Sequence, residues 1–329
     1  MMPSYLKPLS VLLCVLIGAR PGDGSASPLH SNGGRMPKIS TRLLQIGRSV
    51  LRIDIAQGAL DLSQSDLIAR VQRVANIVAL YYGRFPVNTA RILIVPVPNE
   101  HGALNGTTWG DWQGYDAVTR IMIGQHTTAT ELSADWIMTH EMTHMAVASL
   151  PEPDHWLEEG LATYVEPIAR AQSGELSAED VWAGMVQGMP NGEPQDNRGL
   201  DNTNAWGRIY WGGALFFLLA DVEIHKQTHN RKGLQDALRA IVMSRQTINR
   251  ASTALPVLKI ADEATGTHVL EEMYRRWSGA PVRIDLDQLW GQLGVRHDQG
   301  RISFDQIAPL AAIRFTLTLR LGATALHSD

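Results

Sequence analysis

The sequence has almost no cysteine. Its 329 residues include only Cys14, which lies in an apolar run near the N-terminus. We expect that run to be absent from the mature protein, which would then have no disulfide bonds, no cysteine metal ligands and no thiol nucleophile. Any catalytic metal must therefore be bound by histidine, aspartate and glutamate side chains.

Long apolar runs and an excess of positive charge are missing as well. No stretch reaches the roughly 18 apolar residues that suggest a membrane helix, so we expect no membrane span in the mature chain. The formal net charge of −4 and a pI near 6.3 argue against nucleic acid as the main partner. With 44% hydrophobic and 19% charged residues, the composition is that of a globular protein with an ordinary core.

The N-terminus is typical of a signal peptide over residues 1–26. Lys7 supplies a positive charge, residues 9–19 are apolar, and small residues at 24–26 suit cleavage. The alternative is a buried N-terminal strand or helix, but a Pro/Gly/Ser-rich stretch follows the apolar run. We therefore expect an exported protein, periplasmic or extracellular, in which residues 27–37 form a flexible lead-in.

Hydrophobic periodicity divides the rest of the chain into three parts. Residues 38–130 form a predicted α/β N-terminal lobe, residues 131–300 a helical lobe, and residues 301–329 short C-terminal strands and a tail. Strands are predicted at 49–56, 91–97, 117–124, 301–304 and 313–319, and a Gly/Trp-rich loop at 105–116. Helices are predicted at 62–81, 131–149, 155–171, 177–188, 210–226, 233–244, 261–277 and 285–293, and a long polar loop at 189–205.

One helix contains a motif with metal chemistry, HEMTH. His140 and His144 are four residues apart, which places both imidazoles on one helix face. Such a pair can bind one Zn²⁺, and Glu141 can act as the general base toward a water activated by the metal. The alternative is a helix with two surface histidines. The flanking residues are apolar, however, and buried histidines beside a buried glutamate would be costly without a ligand.

A second histidine pair, His225 and His229, has the same spacing but carries Lys226 where a base would stand. It lies where a helix is predicted to end, and histidines at a helix C-terminus interact favourably with the helix dipole and solvent. We interpret this pair as structural.

A catalytic zinc usually has three protein ligands, and a third is expected downstream in WLEEGLATYVE, residues 156–166. Together the two motifs resemble the gluzincin metallopeptidases, whose third ligand is the glutamate of a W-L-x-E-G-x-A motif. The resemblance implies that Glu159 is that ligand and that Thr163 can orient a ligand histidine. Glu158 is then a solvated neighbour, and Glu166 a rim or substrate carboxylate.

The resemblance extends further along the chain. Residues 210–214 (YWGGA) are similar to the gluzincin Y-x-K-G-A element, although Gly212 replaces the lysine. This similarity implies that Tyr210 hydrogen-bonds the tetrahedral oxyanion; the alternative is a tyrosine packed in the core. Residues 212–241 resemble the glycyl-aminopeptidase (M61) branch in particular.

The resemblance implies an α+β, thermolysin/gluzincin-like catalytic domain of two lobes, a small mixed sheet beside a mostly helical lobe. One Zn²⁺ per chain would be bound by His140, His144 and Glu159, and the partner would be a peptide or protein substrate. The oligomeric state is left open. An inactive metal-binding or scaffold protein on the same fold is the main alternative, and a non-peptidase zinc hydrolase is a minor one.

The substrate class departs from the family pattern. Aminopeptidases of this clan carry, before the zinc helix, a glutamate that binds the free amine of the substrate. Residues 117–130 contain no acidic residue, and Arg120 is in the predicted strand. We expect this strand, 117–124, to be the sheet edge on which an extended peptide pairs, with endopeptidase activity favoured over aminopeptidase activity.

Overall fold

The computed structural model describes residues 40–321, which form a mixed α/β fold. The predicted signal peptide, the lead-in and the last part of the predicted tail lie outside the described residues. Among residues 40–321, no helix combines the length and the apolar character needed to cross a membrane.

Five strands form one sheet in the order β1-β2-β3-β5-β4. The strands are β1 (Ser40–Ile46), β2 (Ser49–Ile55), β3 (Thr89–Val97), β4 (Ala103–Trp112) and β5 (Tyr115–Gly124). Strands β2, β3 and β5 are parallel neighbours, while β1 and β4 run antiparallel to the strands they pair with. The sheet is therefore mixed, as the sequence predicts.

Alternation along the central strands decides which face of the sheet is covered. Leu51 and Ile53 of β2, and Ile92 of β3, are buried against the helices. On the opposite face, Asp54 is paired with Arg52 and Arg91. The connection from β2 to β3 is a long helix on the buried face, which is the usual way to join two parallel strands.

Helices make up most of the rest of the described chain. They are α1 (Gln64–Tyr82), α2 (Ala129–Ala134), α3 (Ile137–Thr143), α4 (His155–Gln172), α5 (Ala178–Gly188), α6 (Gly213–Gln227), α7 (Leu234–Met243), α8 (Ala254–Thr265), α9 (Val269–Trp277), α10 (Leu286–Leu293) and α11 (Ala311–Leu317). A two-stranded hairpin, β6 (Val295–Asp298) with β7 (Arg301–Phe304), lies near the C-terminus.

The prediction for the sheet edge is wrong. Residues 105–116, expected to be a loop, lie largely in β4, and β4 is the edge strand. The strand predicted at 117–124 is β5, which lies between β3 and β4 and has both backbone edges paired. Gly106 and Gly110 account for the error, because glycines in a strand weaken its sequence pattern and allow another backbone or side chain to approach closely.

Three further elements differ from the prediction. The helix predicted at 131–149 is interrupted at Asp135, whose extended backbone (ψ 138°) separates α2 from α3. The helix predicted at 261–277 is two helices, α8 and α9, because Gly266 adopts a left-handed conformation between them (φ 73°). Residues 313–319, predicted as a strand, belong mostly to α11.

Candidate metal centre and active site

The helix α3 presents the histidine pair. Its chain enters from Asp135, whose Oδ1 lies 3.4 Å from the backbone nitrogen of Met138. His140 is in α3, and His144 begins the 3-10 turn that ends it. The two imidazole ring centres are 4.9 Å apart, on the same side of the helix. The spacing of four residues has placed the rings as the motif predicts.

The third candidate ligand comes from α4. Glu159 Oε2 lies 3.1 Å from Nε2 of His140 and 3.6 Å from Nε2 of His144. One donor atom from each of the three residues falls within a common span of 4.8 Å. Gly160 allows α4 to lie directly against α6, since a Cβ at this position would collide with the backbone of Gly213. This close approach brings the WLEEG segment of α4 beside the YWGGA segment at the start of α6.

The donor set and its electrostatics fit a divalent zinc ion, which is bound by imidazole nitrogen and carboxylate oxygen. Burial acts to raise the pKa of Glu159, but the neighbouring His144 and His140 outweigh it and hold that pKa well below its usual range. Burial acts to lower the pKa of His144, yet the charge and hydrogen bond of Glu159 raise it to about 9. A cation binding here would therefore displace a proton.

Glu141, a residue of α3, packs its side chain against the edge strand β4. Thr108 Oγ1 donates to Glu141 Oε2 at 2.8 Å. Gly106, two residues earlier on the same face of β4, leaves room for the carboxylate, because a Cβ there would collide with the Glu141 side chain. Burial raises the pKa of Glu141. The glutamate is thus held against β4, and its raised pKa makes the carboxylate a stronger base than that of an exposed glutamate.

Aromatic rings form a row across the candidate metal centre. Tyr210, in a π-helical turn that precedes α6, stacks on His140 with ring centres 6.0 Å apart and an interplanar angle of 11°. Trp206 stacks on Tyr210 at 4.8 Å, and Trp136 meets His140 edge-on at 5.2 Å. Trp136 and Trp206 are 42% and 41% exposed. Two exposed tryptophans therefore flank the site.

Three neighbouring residues differ from their predicted roles. Glu166, expected at the rim, is buried and accepts from Arg170 Nη1 at 2.8 Å. Glu158, expected to be solvated, accepts from the backbone nitrogen of Leu150 at 3.1 Å. The Thr163 hydroxyl is buried, and within residues 40–321 the structure gives it no hydrogen-bond partner, so the predicted contact with a ligand histidine is absent.

Arg120 also lies elsewhere than expected. Its guanidinium is placed over the ring of Trp109, 5.5 Å from the ring centre. Its neighbour in β5, Thr119, contacts Thr108 at 2.9 Å on the side of Glu141. Because side chains alternate along a strand, Arg120 projects from the opposite face of the sheet and does not face the candidate ligands.

His155, at the start of α4, is a residue that the motif analysis missed. Its Nδ1 lies 3.3 Å from Glu158 Oε2, and its Nε2 lies 3.4 Å from Glu159 Oε1. The ring thus stands between two carboxylates, one of them a candidate ligand. The signal was present in the sequence, since residues four apart on a helix face each other, but it lay before the recognised motif.

The second histidine pair, His225 and His229, does not form a metal site. His225 is buried with its Nε2 3.4 Å from Asp221 Oδ1, and Asp221 also accepts from the Tyr164 hydroxyl at 2.8 Å. His229 lies in an exposed turn with φ 54°. This agrees with the structural interpretation of the pair.

Comparisons of the sequence found no matching protein-family model and no matching curated protein. Solved structures do match in fold. An aminopeptidase N family protein from Idiomarina loihiensis superposes with a TM-score of 0.57 at 12% identity, covering 78% of this chain and 49% of that one. An M1 zinc metallopeptidase from Deinococcus radiodurans gives a TM-score of 0.50 at 18% identity, covering 75% of this chain and 53% of that one.

A mutant of the Deinococcus radiodurans enzyme, bound to a Tyr-Ser-Ala substrate, gives the same TM-score of 0.50 at 18% identity. The chain spans about half the length of these matched structures. At such low identity the likeness concerns the fold alone: a five-stranded sheet and a helical part arranged as in M1 zinc metallopeptidases.

Proposed function

We propose that this protein is a zinc-dependent peptidase of the gluzincin type. One observation carries the proposal: the donor atoms of His140, His144 and Glu159 converge within 4.8 Å, while Glu141 lies beside them against an edge strand. A two-lobed, thermolysin-like arrangement and a closer relation to the M61 branch belong to the proposal and are supported by the HEMTH, WLEEG and 212–241 sequence similarities. Export is likewise proposed, on the features of residues 1–26.

The residues of the chain divide the hydrolytic reaction between them. Zinc bound by these three ligands would supply a Lewis acid that activates water and polarises the scissile carbonyl. Glu141 takes the proton from the attacking water and passes it to the leaving amine. Thr108 fixes one carboxylate oxygen of Glu141, which leaves the other oxygen for the proton transfer.

Tyr210 is the residue that we propose as the hydrogen-bond donor to the oxyanion. Its ring stacks on Trp206 and on the candidate ligand His140, which holds the tyrosine beside the proposed metal centre. A preorganised donor is effective because it needs no rearrangement as negative charge develops. The two exposed tryptophans that flank this site suit bulky apolar side chains on the substrate.

The edge strand β4 is the proposed binding site for the peptide main chain. Within residues 40–321 it is hydrogen-bonded to one strand, β5, so an extended peptide can add to its other edge. From Ala103 to Gly110 it contains no carboxylate that would bind a free amine. We therefore propose endopeptidase activity, although the solved structures of similar fold include a protein named for the aminopeptidase N family.

The experiment is cleavage-site mapping on an unfolded protein substrate with the purified enzyme. Glu141→Gln should retain one equivalent of zinc and lose most turnover, because an amide cannot accept the proton. Glu152→Gln, an exposed glutamate beside the start of α4, is the matched control and should cleave normally. Near-normal cleavage by Glu141→Gln would contradict the mechanism, and bound zinc with no cleavage by the wild type would favour the scaffold alternative.

A further inference from the structure

A second cluster of metal-ligating side chains lies at the end of the sheet where β3 and β5 finish. His101 is in the connection from β3 to β4, and His126 follows β5. Their ring centres are 5.6 Å apart with an interplanar angle of 44°. Neither histidine belongs to the zinc motif or to the pair His225 and His229 at the end of α6.

Each ring is oriented by a carboxylate. Nδ1 of His126 lies 2.8 Å from Asp61 Oδ2, and Nδ1 of His101 lies 3.4 Å from Glu131 Oε1. Within residues 40–321 the structure records no hydrogen bond to Nε2 of either ring. Histidine ligands of metals show this arrangement, in which one nitrogen binds the ion and the other is held by a carboxylate. The side chains of His101 and His126 are 61% and 39% exposed, so solutes can reach them.

The ring spacing suits a shared ion. With a metal–nitrogen distance of 2.0–2.1 Å, each ring centre lies roughly 3.2 Å from the ion, so two imidazoles on one tetrahedral ion have centres about 5 Å apart. The candidate ligands His140 and His144 have centres 4.9 Å apart. The ring centres of His101 and His126 are 5.6 Å apart, and small side-chain rotations would bring them to the spacing of two imidazoles on one ion.

The backbone holds the two histidines in place. The backbone nitrogen of His126 donates to Glu100 O at 2.9 Å, and that of Gly124 donates to Gly102 O at 2.8 Å. A Cβ at Gly124 would collide with the backbone of Glu100, so glycine permits this close approach. Glu131 is fixed as well, because its other oxygen closes the capping box of α2. These backbone contacts and the capping box therefore fix the positions of both histidines and of Glu131.

We propose that His101 and His126 form a second binding site for a divalent transition-metal ion, with water completing the coordination. Imidazole ligands select zinc, nickel and copper over magnesium and calcium. Two protein ligands bind more weakly than three, so this ion would be additional to the single zinc expected at His140, His144 and Glu159. It would join the β3–β4 connection to the β5–α2 connection.

Calorimetric titration with ZnCl₂ tests the proposal on protein that already holds its first equivalent of zinc. The wild type should bind a second, weaker equivalent. His101→Ala and His126→Ala should each weaken that second equivalent at least tenfold and leave the first unchanged. His297→Ala, which removes an exposed histidine on β6, is the control and should bind both equivalents as the wild type does.

A further variant tests the carboxylate. Glu131→Gln keeps a side chain that can close the capping box but removes the charge facing His101, and should weaken the second equivalent by about tenfold. An unchanged second Kd in the His101→Ala/His126→Ala double variant, or no second equivalent at millimolar zinc, would overturn the proposal. Loss of the first equivalent of zinc bears only on the proposed active site. The second-site proposal and the proposed function can therefore fail independently.

Discussion

We expect His155 to act through the candidate ligand Glu159 rather than on the substrate. Its Nδ1 lies 3.3 Å from Glu158 Oε2, and its Nε2 lies 3.4 Å from Glu159 Oε1. A ligand carboxylate held in this way spends less of its time in orientations that cannot bind the ion. A ring in this position would orient the candidate ligand Glu159, and changes to residues that orient metal ligands typically cost about 10–100-fold in metal affinity.

We expect His155→Phe to lower zinc affinity within that range, because phenylalanine fills the space but cannot hold a carboxylate. His155→Gln should lose less, since an amide can still donate to one of the two carboxylates. Competition with a chelator measures the Kd, and circular dichroism confirms that the helix is intact. Equal zinc affinity in His155→Phe and wild type would show that the ring only fills space.

Tyr210 is the second residue whose role can be isolated. Tyr210→Phe keeps the ring that stacks on His140 and Trp206 but removes the hydroxyl. If the hydroxyl stabilises the oxyanion, kcat should fall by about 10²–10³ with little change in KM, zinc content or Tm. Steady-state kinetics and thermal melts distinguish this from a packing role, for which Tm would fall while kcat stayed intact.

At the scale of elements, the sequence predicted those parts that local spacing determines. His140 and His144 share a helix face because of a four-residue interval, and the WLEEG segment is helical as predicted. The edge strand β4 could not be recognised because its glycines serve tertiary contacts. Gly106 makes room for Glu141, and Gly110 lies where a Cβ would meet the backbone of Ile248.

The break before α3 has the same origin. Asp135 interrupts what reads as one helix, and its carboxylate contacts the backbone nitrogen of Met138 in α3, a contact that periodicity does not encode. Partners such as His155 with Glu159, or Glu166 with Arg170, were within reach of helix spacing. The structure was needed to identify these pairs, because spacing alone does not tell which face of a helix is buried.

Asp135 also makes the junction sensitive to pH. Burial raises its pKa from 3.8 to about 6. The folded state therefore binds a proton more tightly than the unfolded state, and stability is lost as pH rises between these two values. Below about pH 4 the group is protonated in both states, and above about pH 6 the full cost of burying the charge is present.

Asp135→Asn should consequently stabilise the protein at pH 7–8, by at most roughly 3 kcal/mol, since one pKa unit corresponds to about 1.4 kcal/mol. The gain should vanish near pH 4. Asparagine keeps an oxygen for the Met138 backbone nitrogen, so helix entry is preserved. Urea denaturation across this pH range measures the difference, with the exposed helix cap Asp285→Asn as control. A gain independent of pH would show that the buried charge is not its cause.

At the scale of the whole molecule, the mixed sheet and the helices meet at the candidate site. The sheet contributes the edge strand β4, α3 contributes His140 and Glu141, the 3-10 turn that follows it contributes His144, and α4 contributes Glu159. The π-helical turn before α6 adds Tyr210. Because the fold is shared with peptidases while identity stays below 20%, the choice of substrate must be argued from these residues and not from the fold.

The position of the cleaved bond is the prediction that depends on this whole arrangement. A free α-amine is a cation, and beside a zinc ion in a partly dry cleft it would be repelled unless a carboxylate paired with it. Strand β4 contains none from Ala103 to Gly110, while Glu158 and Glu166 already have partners in Leu150 and Arg170. An extended chain passing through needs no such group, because it binds by main-chain hydrogen bonds to β4. We therefore expect an N-acetylated, internally quenched peptide to be cleaved at least as fast, in kcat/KM, as the same peptide with a free amine. A strong preference for the free amine, with single residues released from that end, would show instead that a carboxylate reaches the amine and that the enzyme is an aminopeptidase.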